Sequence, residues 1–130
     1  MPFRVIQPPA DQTQFTAEGK RLYEAAKALG IELDAEGFLY SWVEGVRVVV
    51  EEVDSEIKGF IMLAAGKRWT HSYSTATILV METIGDEEGL LEFVKQIASA
   101  LGATELFQQE KGFKQVGNKK HYTVIGHPLG

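Results

Sequence analysis

The sequence predicts an α+β domain built on a mixed sheet, and two stretches carry that prediction. Residues 46–53 read VRVVVEEV and residues 57–65 are mostly apolar, so two β-strands are expected around an Asp54-Ser55 turn. Residues 78–81 are consecutively apolar, which is typical of a strand covered on both faces. After Gly85 an amphipathic helix is expected, with an apolar stripe of Leu90, Leu91, Val94, Ile97, Ala98 and Leu101.

The remaining elements give the order β-α-α-β-β-β-α-β-β-β, with the sheet flanked by helices. A short strand at 3–6 precedes a helix that ends near Gly30, and Asp34 is a candidate cap for a second helix. A strand at 104–107 follows the amphipathic helix. The last elements are expected to be a hairpin of 113–116 with 121–125 around Gly117-Asn118, and a frayed tail from residue 127. The 130 residues fit one domain, 1–130.

Composition restricts the classes of function. The chain has no cysteine, which excludes disulfides, thiolate metal sites and a cysteine nucleophile. Its net charge of −5 disfavours a non-specific grip on nucleic acid, because that grip requires clustered Lys and Arg. The three histidines show no metal-binding spacing, so no metal is expected. No signal peptide or apolar span of membrane length is seen, and we expect a cytoplasmic protein without membrane contact.

Several local motifs, taken with the element order, resemble the GNAT superfamily of N-acetyltransferases. Gly59-Phe60-Ile61 resembles the family's third strand, and residues 77–84 resemble its fourth. Gly112-Phe113, Val116-Gly117 and Tyr122 are similar to its closing hairpin. The resemblance implies that acetyl-CoA lies between two parallel strands that splay apart. It also implies that the pyrophosphate rests on free N–H groups at the start of the following helix.

The resemblance implies roles for the residues at the end of the central strand. Thr83, Ile84, Gly85 and Gly89 are the candidate cofactor-binding residues, since they span the turn into the helix. Glu82 is the candidate catalytic base, placed where a carboxylate takes a proton from an amine directly or through water. A polar residue that only ends a strand is the alternative interpretation of Glu82.

Two features depart from the family pattern. The family loop reads Gln/Arg-x-x-Gly-x-Gly/Ala, and residues 82–89 (ETIGDEEG) fit it in neither register. Asp86, Glu87 and Glu88 place three carboxylates where a pyrophosphate would sit. In addition, residues 108–111 leave room for about one helical turn and contain no tyrosine, so no general acid is identified.

One compact basic and aromatic cluster precedes the central strand. Lys67, Arg68 and Trp69 could pair with a phosphate or with a partner's carboxylates, and His71 and Tyr73 could line an acceptor pocket. A solvated hairpin tip is the alternative interpretation of the same residues.

Three functions follow from these observations. The first is a GNAT-like protein with a degenerate acetyl-CoA loop, weakly active or inactive. The second is a working acetyl-CoA-dependent N-acetyltransferase with an unknown amine acceptor. The third is a non-catalytic structural or assembly protein, for example one encoded by a phage, that forms a homo-oligomer or binds a protein partner. A small-ligand or peptide module that uses the splayed strands as a groove is a weaker alternative.

Overall fold

The sheet is mixed, with six strands in the order β1-β2-β3-β4-β5-β8, and the computed structural model therefore confirms the predicted α+β class. It describes residues 2–6, 17–43, 46–67, 74–109, 114–116, 119–121 and 124–129. Neighbouring strands of this sheet run antiparallel except for the parallel pair β4 and β5. The elements are β1 Phe3–Ile6, α1 Ala17–Ala28, α2 Ala35–Val43, β2 Arg47–Val53, β3 Glu56–Lys67, β4 Ser74–Thr83, α3 Glu87–Ala100, β5 Ala103–Gln109, β6 Lys114–Val116, β7 Lys119–His121 and β8 Val124–Pro128.

Helices cover both faces of the sheet and define two apolar cores. On one face, α1 and α2 pack over the sheet around the fully buried Phe38 and Phe60. On the other face, α3 buries Leu90 and Val94 against the strands. Successive strand residues point to opposite faces, so Val48 and Val50 belong to the first core and Val49 to the second. The β-branched run in β2 is therefore buried on both sides.

The turn between β2 and β3 and the start of α2 form as their residues predict. Asp54 and Ser55 both have positive φ, 52° and 64°, as a two-residue hairpin turn of the I′ class requires. At α2, the Gly37 N–H donates to Asp34 Oδ2 at 2.9 Å, which confirms the predicted cap.

Strand β4 contains a β-bulge that corrects one expectation. Met62 of β3 pairs with Val80 and Leu63 pairs with Ile78, so Leu79 has no partner on β3. Its side chain is 46% exposed, whereas residues 78–81 were expected to be buried on both faces. The extra residue also shifts the alternation of the strand, because Val80 now packs in the α1/α2 core.

The C-terminal prediction is wrong in two respects. The segment predicted as one strand at 121–125 divides into β7, which pairs only with β6, and β8, which pairs antiparallel with β5. The tail, which was expected to be frayed from residue 127, is instead hydrogen-bonded through residue 129. Strand β8 continues to Pro128, and the Leu129 N–H donates to the Thr104 carbonyl at 3.0 Å. Pairing with β8 satisfies the outer edge of β5, which would otherwise be an open strand edge.

The left-handed conformation of Ser55 generates a stability prediction. A side chain at this φ carries a steric cost that glycine avoids, so Ser55→Gly should stabilise the protein by about 0.5–1 kcal/mol. The free energy of unfolding, measured by urea denaturation, checks this. The matched control is Ser99→Gly on the exposed last turn of α3, where glycine should instead destabilise the helix by a few tenths of a kcal/mol. Equal effects of the two substitutions would contradict the turn assignment.

Candidate functional site

Strands β4 and β5 pair along only the first part of β4. Their parallel pairing begins at Ser74 with Ala103, and the last pair is Ile78 with Gln108. Strand β4 continues to Thr83, while β5 ends one residue after Gln108. The bulge at Leu79 lies directly after the last pair, and bulges bend a strand and increase its twist. The edge of β4 from Leu79 to Thr83, which we call the split, therefore has no β5 partner within the described residues and leads to the start of α3.

The turn that leaves β4 is tied to β3 and to its own side chains. The Ile84 N–H donates to the Lys58 carbonyl at 2.8 Å, and the Thr83 hydroxyl donates to the same carbonyl at 3.2 Å. The Gly85 N–H donates to Thr83 Oγ1 at 2.9 Å. Ile84 is 70% exposed and lines a cavity of about 380 Å³ beside α1. The structure thus brings Thr83, Ile84 and Gly85 together, but their hydrogen-bonding groups serve the turn itself.

The start of α3 is capped by carboxylates. Asp86 is the N-cap residue, and its Oδ1 accepts from the Gly89 N–H at 2.9 Å. The Asp86 N–H donates to both carboxylate oxygens of Glu51, at 3.0 and 3.2 Å. The Leu90 N–H donates to the Asp86 carbonyl at 3.0 Å. Within the described residues of the α3 first turn, the N–H groups without an acceptor are those of Glu87 and Glu88.

Glu51 is the functional feature that the sequence analysis missed. It is 3% exposed and is the one charged residue that is buried in the described part of the chain. The signal was present in the strand pattern, since Glu51 shares its face with Val49, which packs under α3. The next residue, Glu52, points to the opposite face and forms ion pairs with Arg4 and Arg21.

Both glycines of the turn make room for carboxylates of the protein itself. A Cβ atom built on Gly85 would overlap the Glu51 carboxylate and lie 3.1 Å from Lys58 Cβ. A Cβ atom on Gly89 would overlap the Asp86 carboxylate and lie 2.8 Å from the Phe3 ring. These close approaches explain why glycine is needed at both positions without any appeal to a bound phosphate.

The remaining predicted residues fall at the margins of this site. Glu82 is half-buried near the end of β4 and, by strand alternation, shares the face of Val80 rather than the α3 face. Lys67 is the last residue of β3, where its backbone pairs with Ser74. The other members of the predicted acceptor surface, Arg68, Trp69, His71 and Tyr73, lie outside the described residues, so that surface stays a prediction.

The described segments show neither a cluster of metal ligands nor a membrane-spanning helix. There, no group of three or more His, Asp or Glu side chains is arranged to hold a metal ion. None of the helices within those segments is long and apolar enough to cross a bilayer.

The packing of Gly85 against Glu51 generates the second prediction. Gly85→Ala should destabilise the protein by about 2–4 kcal/mol, because the added methyl group must displace a buried, hydrogen-bonded carboxylate. In a Glu51→Ala background the same substitution should cost much less, since the overlapping atoms are gone. Urea denaturation of the two single variants and the double variant measures this coupling. Additive effects would show that the two residues do not interact.

Comparison with known proteins identifies the architecture. No family model and no curated protein matches the sequence. Among solved structures, NAA60 of Arabidopsis thaliana in complex with acetyl-CoA shares 13% identity, with a TM-score of 0.62 over 98% of this chain and 97% of that one.

Two other solved structures have similar scores. A putative acetyltransferase of Salmonella typhimurium with its cofactor acetyl-CoA shares 14% identity, with a TM-score of 0.60 over 100% of this chain and 95% of that one. An aminoglycoside acetyltransferase from an uncultured soil metagenomic sample shares 15%, with a TM-score of 0.57 over 86% and 82% of the two chains. The chain therefore has the fold of the GNAT acetyltransferases.

Proposed function

We propose that this chain is a GNAT-fold protein that keeps a cleft for the thioester arm of acyl-CoA but has a degenerate pyrophosphate cradle. As an acetyltransferase it is weakly active or inactive. The observation that carries the proposal is the pair of hydrogen bonds from the Asp86 N–H to the buried carboxylate of Glu51. That carboxylate occupies a backbone donor at the helix start, which is where an anionic ligand would bind.

The cleft fits an extended ligand. Beyond the last pair, Ile78 with Gln108, β4 has no pairing with β5, so its edge from Leu79 to Thr83 borders the split. An extended chain can add to such an edge through main-chain hydrogen bonds. Two neighbours of the same fold, from Salmonella and Arabidopsis, are complexes with acetyl-CoA, which supports acetyl-CoA as the class of ligand.

The helix start does not fit a pyrophosphate. The N–H groups of Ile84, Gly85, Asp86 and Gly89 already have acceptors within the protein. The first turn of α3 adds the exposed carboxylates of Glu87 and its neighbour at 88. Two like charges about 4 Å apart repel by roughly 4 kcal/mol at an effective dielectric constant of about 20. A phosphate would therefore meet repulsion, with only the N–H groups of Glu87 and Glu88 left to offset it.

The chemistry available to the chain is correspondingly limited. Bound acetyl-CoA supplies an activated acyl group, and the chain must then remove a proton from the acceptor amine. Glu82, half-buried near the end of β4, is the residue proposed to accept that proton. Because the cofactor is held weakly, acetyl transfer that uses Glu82 as the base is expected to be slow.

The second candidate function is a non-catalytic assembly role. Strand β8 ends the six-stranded sheet, and its residues Val124 and Ile125 are exposed apolar side chains. An edge strand with apolar residues favours pairing with another chain. The occupant proposed here is a second copy of this chain.

Comparing acetyl-CoA with a phosphate-free analogue tests the main proposal. Acetyl-pantetheine lacks the nucleotide and its phosphates, and its dissociation constant should lie within about threefold of that of acetyl-CoA, because the turn offers the phosphates little. Isothermal titration calorimetry measures both values, and release of free thiol with a panel of amines measures transfer. Binding of acetyl-CoA a hundredfold tighter than the analogue, with rapid turnover, would instead establish a working enzyme. If neither ligand binds, the proposal that the cleft binds the thioester arm is also ruled out.

The charge at the helix start can be varied directly. Glu87→Gln combined with Glu88→Gln should raise the affinity for acetyl-CoA several-fold at low salt and leave that for acetyl-pantetheine unchanged, since only the phosphates sense these charges. The gain should shrink as salt is added. The matched control is Glu32→Gln with Glu36→Gln near the start of α2, which changes net charge equally. An equal gain in the control would show a non-specific effect of net charge.

Measuring the oligomeric state, with and without a charged substitution on the edge strand β8, tests the assembly role. If β8 pairs between copies, sedimentation velocity should show a dimer, and Val124→Lys should shift it toward monomer because edge charges oppose strand pairing. A protein that stays monomeric at every concentration would contradict this second candidate.

A further inference from the structure

Gln108 lies at the vertex of the split between β4 and β5. It is the β5 member of the last parallel pair, and β5 ends one residue beyond it. Its side-chain Nε2 reaches across to Met81 of β4, at 3.5 Å from the thioether sulfur. Its Oε1 lies 3.0 Å from Nε2 of His127 on β8. One amide therefore links three strands at the inner end of the cleft.

The direction in which this amide points is coupled to the tautomer of His127. An amide oxygen can only accept, so the hydrogen bond requires the proton to be on His127 Nε2. With Oε1 held on the β8 side, the NH₂ group of Gln108 faces β4 and the split. The opposite amide orientation would require the proton on Nδ1 of His127, so the amide orientation and the histidine tautomer are set together.

The NH₂ group is poorly satisfied where it stands. Within the described residues its acceptor is the sulfur of Met81, and a thioether is a weak acceptor. A half-buried amide donor gains when a carbonyl oxygen replaces such a partner. The residue is thus a polar group oriented into an otherwise apolar vertex, as binding clefts use to fix a ligand's position.

We propose that Gln108 donates from Nε2 to the acyl carbonyl of a thioester ligand whose arm lies along the β4 edge, and that His127 is the positioning residue for this amide. The inference rests on the proposed cleft. An arm that follows β4 from Thr83 toward Leu79 brings its terminal group to the vertex, next to Gln108. In acetyl-CoA that terminal group carries a carbonyl oxygen, whereas in CoA it is a thiol and a weak acceptor.

The selectivity between acetyl-CoA and CoA tests this role. The unmodified protein should bind acetyl-CoA about 3–10 times more tightly than CoA, because one neutral hydrogen bond contributes a gain in affinity of about this size. Gln108→Leu should bring this ratio close to one while changing the CoA affinity little. The matched control, Gln96→Leu on the exposed face of α3, should leave the ratio unchanged. Calorimetric titration with both ligands gives the ratio, and thermal unfolding confirms that each variant is folded.

Variants of His127 separate positioning from packing. His127→Phe should reduce the ratio at constant CoA affinity, because the freed amide rotates, and His127→Gln should restore part of it by supplying a donor. An unchanged ratio in Gln108→Leu overturns the inference while leaving the proposed function standing. An equal loss of affinity for both ligands also overturns it, since the residue would then only support the cleft. Absence of binding by the unmodified protein overturns both proposals.

Discussion

The contact between the buried carboxylate of Glu51 and the N–H of Asp86 determines the geometry of the turn into α3. It joins the middle of the sheet to the helix start across residues that are 35 positions apart in the chain. Burial of a charged group is unfavourable unless it is hydrogen-bonded, and the positive end of α3 supplies one donor, the Asp86 N–H, together with a favourable field. Gly85 follows from this contact, because any side chain there would overlap the carboxylate. The turn is therefore organised around an internal anion.

The split between the strands depends on a different constraint. One unpaired residue, Leu79, changes the alternation of β4 directly after its last pair with β5, Ile78 with Gln108. This requires only backbone register and twist, and no charge is involved. On the far side of β5, strand β8 completes the sheet and places His127 where it can orient Gln108. The cleft thus depends on the backbone of the sheet. The start of α3 depends on side chains instead, because their oxygens occupy its N–H donors.

Sequence patterns were sufficient where local physics decides the structure. The β-branched run of β2, the Asp54-Ser55 turn and the apolar stripe of α3 each contain their own signal. The bulge at Leu79 could not be predicted, because the apolar run at 78–81 reads the same with or without an extra residue. The division between β7 and β8 depends on the free edge of β5, which is not local information. Glu51 was missed because its partner is the helix start, far away in the sequence.

The edge of β4 that borders the split and the turn at the start of α3 are therefore separate features, and either can be lost while the other is kept. Fold comparison at 13–15% identity responds to backbone course, so TM-scores of 0.57 to 0.62 report the sheet and its split. They do not report whether backbone donors at the helix start are free. In this chain the N–H groups of Gly85, Asp86 and Gly89 are satisfied by Thr83, Glu51 and Asp86, and the glycines serve that arrangement. Since a diphosphate needs free donors and a thioester arm needs an open strand edge, the residues present favour recognition of the arm over recognition of the nucleotide.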